Sequence, residues 1–235
     1  GMPLNQFSLD EYKGNLRLAT TISPDLWGLG SAQSANDVYV LDKNLRVIGA
    51  VQDMGLTERI YAVRFIEDKG YLVTFRQTDP FYVLDLSKPN KPELKGELKI
   101  PGFSSYLHPI NKDKIIGIGE EDSQVKISLF DVSDPSNPKE VDKYSLDEYW
   151  TEVANNHHAF LMDDKHQIFF LPSGQGAYIM SYKGDKLSLD KAVKLDQVKR
   201  AIYLNDYLYI IAANDIRVFD ENTWDEVSAL SLPTN

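Results

Sequence analysis

Two stretches of this chain, Asp85-Leu-Ser-Lys-Pro-Asn-Lys-Pro92 and Asp131-Val-Ser-Asp-Pro-Ser-Asn-Pro138, share the pattern Asp-x-Ser-x-Pro-x-x-Pro and stand 46 positions apart. Each follows a short apolar run (Phe81–Leu84, Ile127–Phe130) and precedes another (Leu94–Ile100, Val141–Leu146). Asp and Ser can accept from nearby backbone amides, and proline fixes φ while withholding a donor, so such a segment ends one strand and turns the chain into the next. The frame recurs more faintly at Val38-Tyr-Val-Leu-Asp42, Ala177-Tyr-Ile-Met-Ser181 and Ile216-Arg-Val-Phe-Asp220. The anchors at 42, 85, 131, 181 and 220 are 43, 46, 50 and 39 residues apart. A period in the forties is that of one four-stranded propeller blade.

Two further strands are expected upstream of each anchor. They are Ile60–Phe65 and Tyr71–Arg76 in the second unit, and Ala201–Leu204 and Tyr207–Ala213 in the last. Leu4–Leu9 with Leu16–Ile22, Tyr106–Ile110 with Ile115–Ile118, and Ala159–Met162 with Ile168–Leu171 complete the others. Apolar residues on both faces of several strands require a sheet covered on both sides. Ser145–Val153 reads as a short helical connection. The expectation is an all-β propeller of about five four-stranded blades, near 4–55, 56–102, 103–147, 148–197 and 198–235, in one domain over 1–235. That set is either a closed ring or a section of a larger one.

The ordered stretches Leu4-Asn-Gln-Phe-Ser-Leu-Asp-Glu-Tyr12, Leu16-Arg-Leu-Ala-Thr-Thr21, Glu58-Arg-Ile-Tyr-Ala-Val-Arg-Phe65, Val73-Thr-Phe-Arg-Gln-Thr-Asp-Pro80, Leu98-Lys-Ile-Pro-Gly-Phe-Ser104, Tyr106-Leu-His-Pro109 and Leu129-Phe-Asp-Val-Ser-Asp-Pro135 carry a resemblance. The chain resembles a family of secreted bacterial and archaeal proteins with a C-terminal β-propeller domain. The likeness is densest from 4 to 144 and thins beyond 150, where His157-His-Ala-Phe160 is a degenerate counterpart of a His-Lys-Ala-Phe element. It implies export and a longer natural chain with an N-terminal portion absent here. It supplies no catalytic mechanism.

The formal charge is −10, which disfavours phosphate backbones, so no nucleic-acid partner is expected. There is no cysteine, which removes disulfides, thiolate metal sites and cysteine nucleophiles. No run approaches the ~20 apolar residues of a membrane span, so membrane insertion by this stretch is not expected. Gly28-Leu-Gly30 and Gly117-Ile-Gly119 lack a following helix and make no nucleotide cradle.

In a propeller the first strand of each blade borders the axial channel, where ligands gather. The channel-mouth candidates are Glu58, Arg59, Arg64, Tyr106, His108, His157, His158 and Arg200. The arginines with Tyr106 suit a carboxylate or phosphate. His157 and His158, if on a strand, point to opposite faces and do not share a metal. His166 falls in a polar turn. Glu58, Glu152 and Asp79 are the carboxylates available for acid/base work on sugars. No catalytic residue, metal ligand or cofactor is assigned. Two functions stand: a non-enzymatic ligand-binding or scaffold domain of an exported protein, with a protein, peptide or glycan as partner, and a carbohydrate-active hydrolase using channel carboxylates. A third use, closing a larger propeller with the absent N-terminal portion, fits the same repeat.

Overall fold

A computed structural model of the chain describes residues 1–22, 33–75 and 79–233. Gly28-Leu-Gly30 and the side chain of Asp79 lie outside the described residues. Among the described residues, twenty strands form five four-stranded antiparallel sheets, each built from four consecutive strands paired in chain order. The first holds β1 (Leu9–Tyr12), β2 (Asn15–Ile22), β3 (Ala35–Leu41) and β4 (Val47–Met54). The second holds β5 (Arg59–Ile66), β6 (Lys69–Phe75), β7 (Asp79–Asp85) and β8 (Glu93–Ile100). The third holds β9 (Phe103–Pro109), β10 (Lys114–Glu121), β11 (Gln124–Asp131) and β12 (Lys139–Leu146). The fourth holds β13 (Leu161–Asp163), β14 (Ile168–Ser173), β15 (Gly176–Ser181) and β16 (Ser188–Lys194), and the fifth β17 (Val198–Leu204), β18 (Tyr207–Ala212), β19 (Asp215–Asp220) and β20 (Glu226–Ser231).

The chain divides into two compact units, residues 1–121 with 130–140, and residues 122–129 with 141–235. Middle strands such as β6, β10 and β14 are buried on both faces, whereas the last strands β4, β8, β12 and β20 hold at most two buried residues each. This gradient is why the middle strands read as unbroken apolar runs in the sequence. In the first unit Phe81 and Phe130 stack at 4.6 Å with no exposure, inside a cluster that includes Tyr71, Leu107 and Ile115. In the second, Phe170, Ile179, Leu208, Ile210 and Phe219 form the corresponding core.

The repeated anchors do a common job. Asp42, Asp85, Asp131 and Asp220 each accept the backbone N–H two residues on, at 2.8 to 2.9 Å, so each anchor closes an Asx turn. The proline turn that follows then packs on the preceding sheet. Gly49 of β4 lies so close to the Pro89–Pro92 turn that a Cβ there would fall 2.3 Å from the Pro89 carbonyl oxygen. Gly96 of β8 meets Pro135 in the same way, also at 2.3 Å. The second unit lacks the prolines and uses hydrogen bonds instead. Asp142 of β12 accepts the Leu187 N–H at 2.8 Å, and Lys191 of β16 donates to the Trp224 carbonyl at 2.9 Å.

One consequence is a specific acid sensitivity. The Ser133 hydroxyl and N–H, with Lys114, hold the Asp131 carboxyl at about 2, below its ordinary 3.8. A carboxylate held down on folding contributes stability that is complete above its unfolded value and is lost as pH falls through the folded one. Asp131→Asn is therefore expected to flatten the loss of stability between about pH 4 and pH 2, read as urea midpoints at each pH.

Three local expectations are corrected. Leu4–Leu9 is not a strand: Asn5 and Ser8 form a capping box on a 3-10 turn over Gln6–Ser8, and the strand begins at Leu9. Ala159–Met162 starts too early, because the Asn156 side chain accepts from the His158 N–H and winds His157–Ala159 into a 3-10 turn ahead of β13. The helical connection within 145–153 is a single 3-10 turn, Glu152–Ala154, capped by Thr151.

Candidate functional site

A half-open cavity of about 920 Å³ lies in the first unit, at the start of β5. Thr21, Ile60, Tyr61 and Phe75 line it with Glu58 and Arg59, and Met2 to Leu4 flank it. Behind the lining residue Thr21 lies Asn36, which is fully buried. Asn36 accepts from the Thr21 hydroxyl at 2.7 Å and donates to the Met54 carbonyl at 3.0 Å. Thr21 in turn accepts the Ile60 N–H at 3.1 Å, tying β2 to β5. The turn into β5 carries positive φ at Gly55 and Thr57, which brings Glu58 back over the sheet. There its carboxylate accepts from the Thr74 hydroxyl.

Arg59 is exposed, lies 4.8 Å over the Tyr61 ring and donates to the Tyr61 hydroxyl at 3.0 Å. Tyr61, Phe75 and Phe103 form an aromatic trio with centroids 4.8 to 5.6 Å apart. Such pairs hold ring orientation tightly. The cavity thus offers a rigid aromatic wall with one guanidinium and one carboxylate at its edge.

Arg64 sits on the same strand five residues on, about 16 Å away at the ~3.3 Å rise of a strand. Its guanidinium lies 3.6 Å over the Phe7 ring and 5.3 Å over Tyr106, and its Nε donates to the Leu107 carbonyl at 2.8 Å. The Tyr106 hydroxyl and His108 Nδ1 are 3.0 Å apart. Burial disfavours the charge on Arg64 and raises the Tyr106 hydroxyl, and each group partly offsets the other's shift. The structure therefore brings Arg64, Tyr106 and His108 into one cluster and Glu58 with Arg59 into another. His157, His158 and Arg200 belong to the second unit. Among the described residues, none of the three candidate arginines forms an ion pair with a carboxylate.

His157 and His158 do not point to opposite faces. They lie on the 3-10 turn rather than on a strand, and their rings are 4.0 Å apart. Arg200 is exposed, beside a register shift in β17. Glu152 lies in its own 3-10 turn, part-buried. Sequence reasoning passed over Asp163, His166 and Glu221. They converge in the second unit, with Asp163 Oδ2 2.6 Å and Glu221 Oε2 3.7 Å from His166 Nδ1. The readable signal was the Asp-x-x-His spacing across the β13–β14 hairpin.

The model of the beta propeller domain family matches residues 1–224. The chain belongs to the beta propeller domain family. Each four-stranded sheet is accordingly one blade. A protein of Archaeoglobus fulgidus described as uncharacterized is 59% identical over 232 residues, covering 99% of this chain and 36% of that protein. An uncharacterized protein of Methanocaldococcus jannaschii is 46% identical over 237 residues, covering 99% and 37%. The chain thus spans little more than a third of the length of these archaeal relatives. Among solved structures, apo AztD from Citrobacter koseri superposes with a TM-score of 0.64 over 97% of this chain and 59% of that one, at 14% identity. That likeness is one of fold. No helix among the described residues is long and apolar enough to cross a membrane.

Proposed function

We propose that this stretch is a non-enzymatic binding propeller of an exported protein, and that the cavity at the start of β5 takes a carboxylate-bearing peptide or glycan. The observation that carries the reading is Arg59 stacked on Tyr61 at the edge of an aromatic-walled cavity of about 920 Å³. Binding pockets combine an apolar lining with a few placed polar groups. Arg59 is a local positive charge in a chain of net charge −10, with no carboxylate paired to it among the described residues. A ligand carboxylate on the guanidinium and an apolar face on Tyr61 and Phe75 satisfy both.

The hydrolase reading needs two carboxylates flanking one bond, about 5–10 Å apart. In this cavity Glu58 is the one carboxylate among the described lining residues, and it is already engaged by Thr74. The binding reading is favoured on that ground.

The test is a thermal-shift and calorimetric titration with tetraglutamate and tetragalacturonate, which separates the peptide from the glycan source. Saturable binding by one of them is expected, weakened about 10-fold or more in Arg59→Ala, since a charged hydrogen bond contributes ~1.5–3 kcal/mol. Equal affinity of wild type and Arg59→Ala sinks the assignment.

A second reading rests on the fifth sheet, where Ile202, Tyr203, Leu204, Val227 and Leu230 are all exposed. They lie on its two edge strands, β17 and β20, and apolar edge strands are open to pairing or packing with a partner. The proposed occupant is the remainder of the longer protein that the archaeal relatives' lengths imply. Hydrogen exchange in β17 and β20 is expected to slow when that remainder is present in the same chain; unchanged exchange rejects it.

A further inference from the structure

The second unit contains a buried cluster that the binding cavity does not use. Asp163 ends β13, His166 lies in the β13–β14 hairpin, Asp206 in the β17–β18 hairpin, and Glu221 just after β19. The Glu221 side chain has no exposure, and neither of its carboxylate oxygens has a hydrogen-bond partner. Its surroundings are fixed. The Glu221 N–H donates to the Asp206 carbonyl at 2.9 Å, and Asp163 Oδ1 accepts the Lys165 N–H at 2.8 Å.

A buried carboxylate without a donor is costly, by several kcal/mol, unless a proton or a cation meets it. Here a second buried carboxylate, Asp163, shares the space. One ligand atom from each of Asp163, His166 and Glu221 lies within 4.8 Å of the other two. An ion bonded at ~2.1 Å to each in a tetrahedral arrangement sets ligand atoms roughly 3.4 Å apart; Glu221 Oε2 at 3.7 Å from His166 Nδ1 is near that spacing, and Asp163 Oδ2 at 2.6 Å would move outward to admit the ion. On its other side, His166 Nε2 faces Asp206 Oδ1 at 3.3 Å. Without an ion, the 2.6 Å contact between Nδ1 and Asp163 Oδ2 is a hydrogen bond that Nδ1–H donates, since a carboxylate only accepts; an ion bound at Nδ1 would displace that proton, with Asp206 accepting from Nε2–H as in the carboxylate–histidine–metal arrangement of bound sites. Lys165 pairs with Asp206 and steadies it.

We infer that Asp163, His166 and Glu221 bind a divalent first-row transition ion such as Zn²⁺, with Asp206 positioning the imidazole. The imidazole ligand and the small ligand number oppose Ca²⁺ and Mg²⁺, which take six or more oxygen ligands or retain several waters. Because the ligands come from the turns of the fourth and fifth blades, the ion clamps those two sheets together.

The test uses the untagged chain, stripped with EDTA and titrated with Zn²⁺, Mn²⁺ and Ca²⁺ at pH 7.5. One Zn²⁺ or Mn²⁺ per chain is expected, with Tm raised by about 5 °C or more at ~100-fold excess over Kd. Glu221→Gln is expected to melt at or above the wild-type temperature in EDTA, because it removes a buried charge, and to lose the metal-dependent rise. Asp206→Asn, a positioning change, is expected to weaken binding ~10-fold while keeping the stoichiometry. Failure of Zn²⁺ and Mn²⁺ to bind saturably overturns the inference. So does equal binding by wild type and Glu221→Gln, or a Ca²⁺ affinity matching that of Zn²⁺.

Discussion

Phe130→Ala is expected to lower Tm by about 6–20 °C. The ring is fully buried at the end of β11 and stacks on Phe81 of β7 at an interplanar angle of 11°. Phe81 in turn faces Tyr71 at 6.0 Å, so the contact continues into the second blade. Truncating a buried phenylalanine costs ~3–5 kcal/mol, from lost transfer energy and the cavity left behind. The surrounding strands are pinned by ladder hydrogen bonds and have little freedom to collapse into the gap. Ile202→Ala, at a residue 44% exposed, is the control and is expected to stay within ~0.5 kcal/mol. A scanning calorimetry trace in which both variants melt together contradicts the packing described.

Gly96→Val is expected to cost about 3 kcal/mol by a different route. No cavity forms; instead the new side chain collides with the Pro135 carbonyl oxygen and the Pro138 ring, whose distances to a Cβ would be 2.3 and 2.8 Å. Both contacts belong to a rigid proline turn, so the blade must move as a body. Denaturant unfolding of Gly96→Val and Gly49→Val should give similar losses, because the two glycines meet equivalent proline turns 46 residues apart. A loss confined to one of them would show that the two joints are not equivalent.

These joints explain how much the sequence revealed. The Asp-x-Ser-x-Pro-x-x-Pro repeat was legible because its residues act locally: Asp85 and Asp131 close their own Asx turns, and the prolines fix the chain direction. The glycines that receive those turns were silent, since Gly49 and Gly96 matter only through a neighbouring blade. The early strand boundaries failed where a side chain captured a backbone amide, at Asn5 and Asn156. The candidate cluster was legible in part. Arg64, Tyr106 and His108 meet because β5 and β9 are both first strands of their sheets. The distance from Arg59 to Arg64 was hidden by treating first-strand residues as one ring, when a strand spreads them along its length. His166 looked like an ordinary turn residue because its carboxylate partners Asp206 and Glu221 come from another blade, 40 and 55 residues further on.

The most direct measurement of the binding account is an NMR titration of the isotope-labelled chain with the better of tetraglutamate and tetragalacturonate, following the Tyr61 and Phe75 ring signals and the Arg59 side chain. Saturable shifts at all three, with a common Kd and with the Arg64–Tyr106 cluster unmoved, are predicted. Saturable binding that leaves Tyr61, Phe75 and Arg59 unchanged would contradict the account.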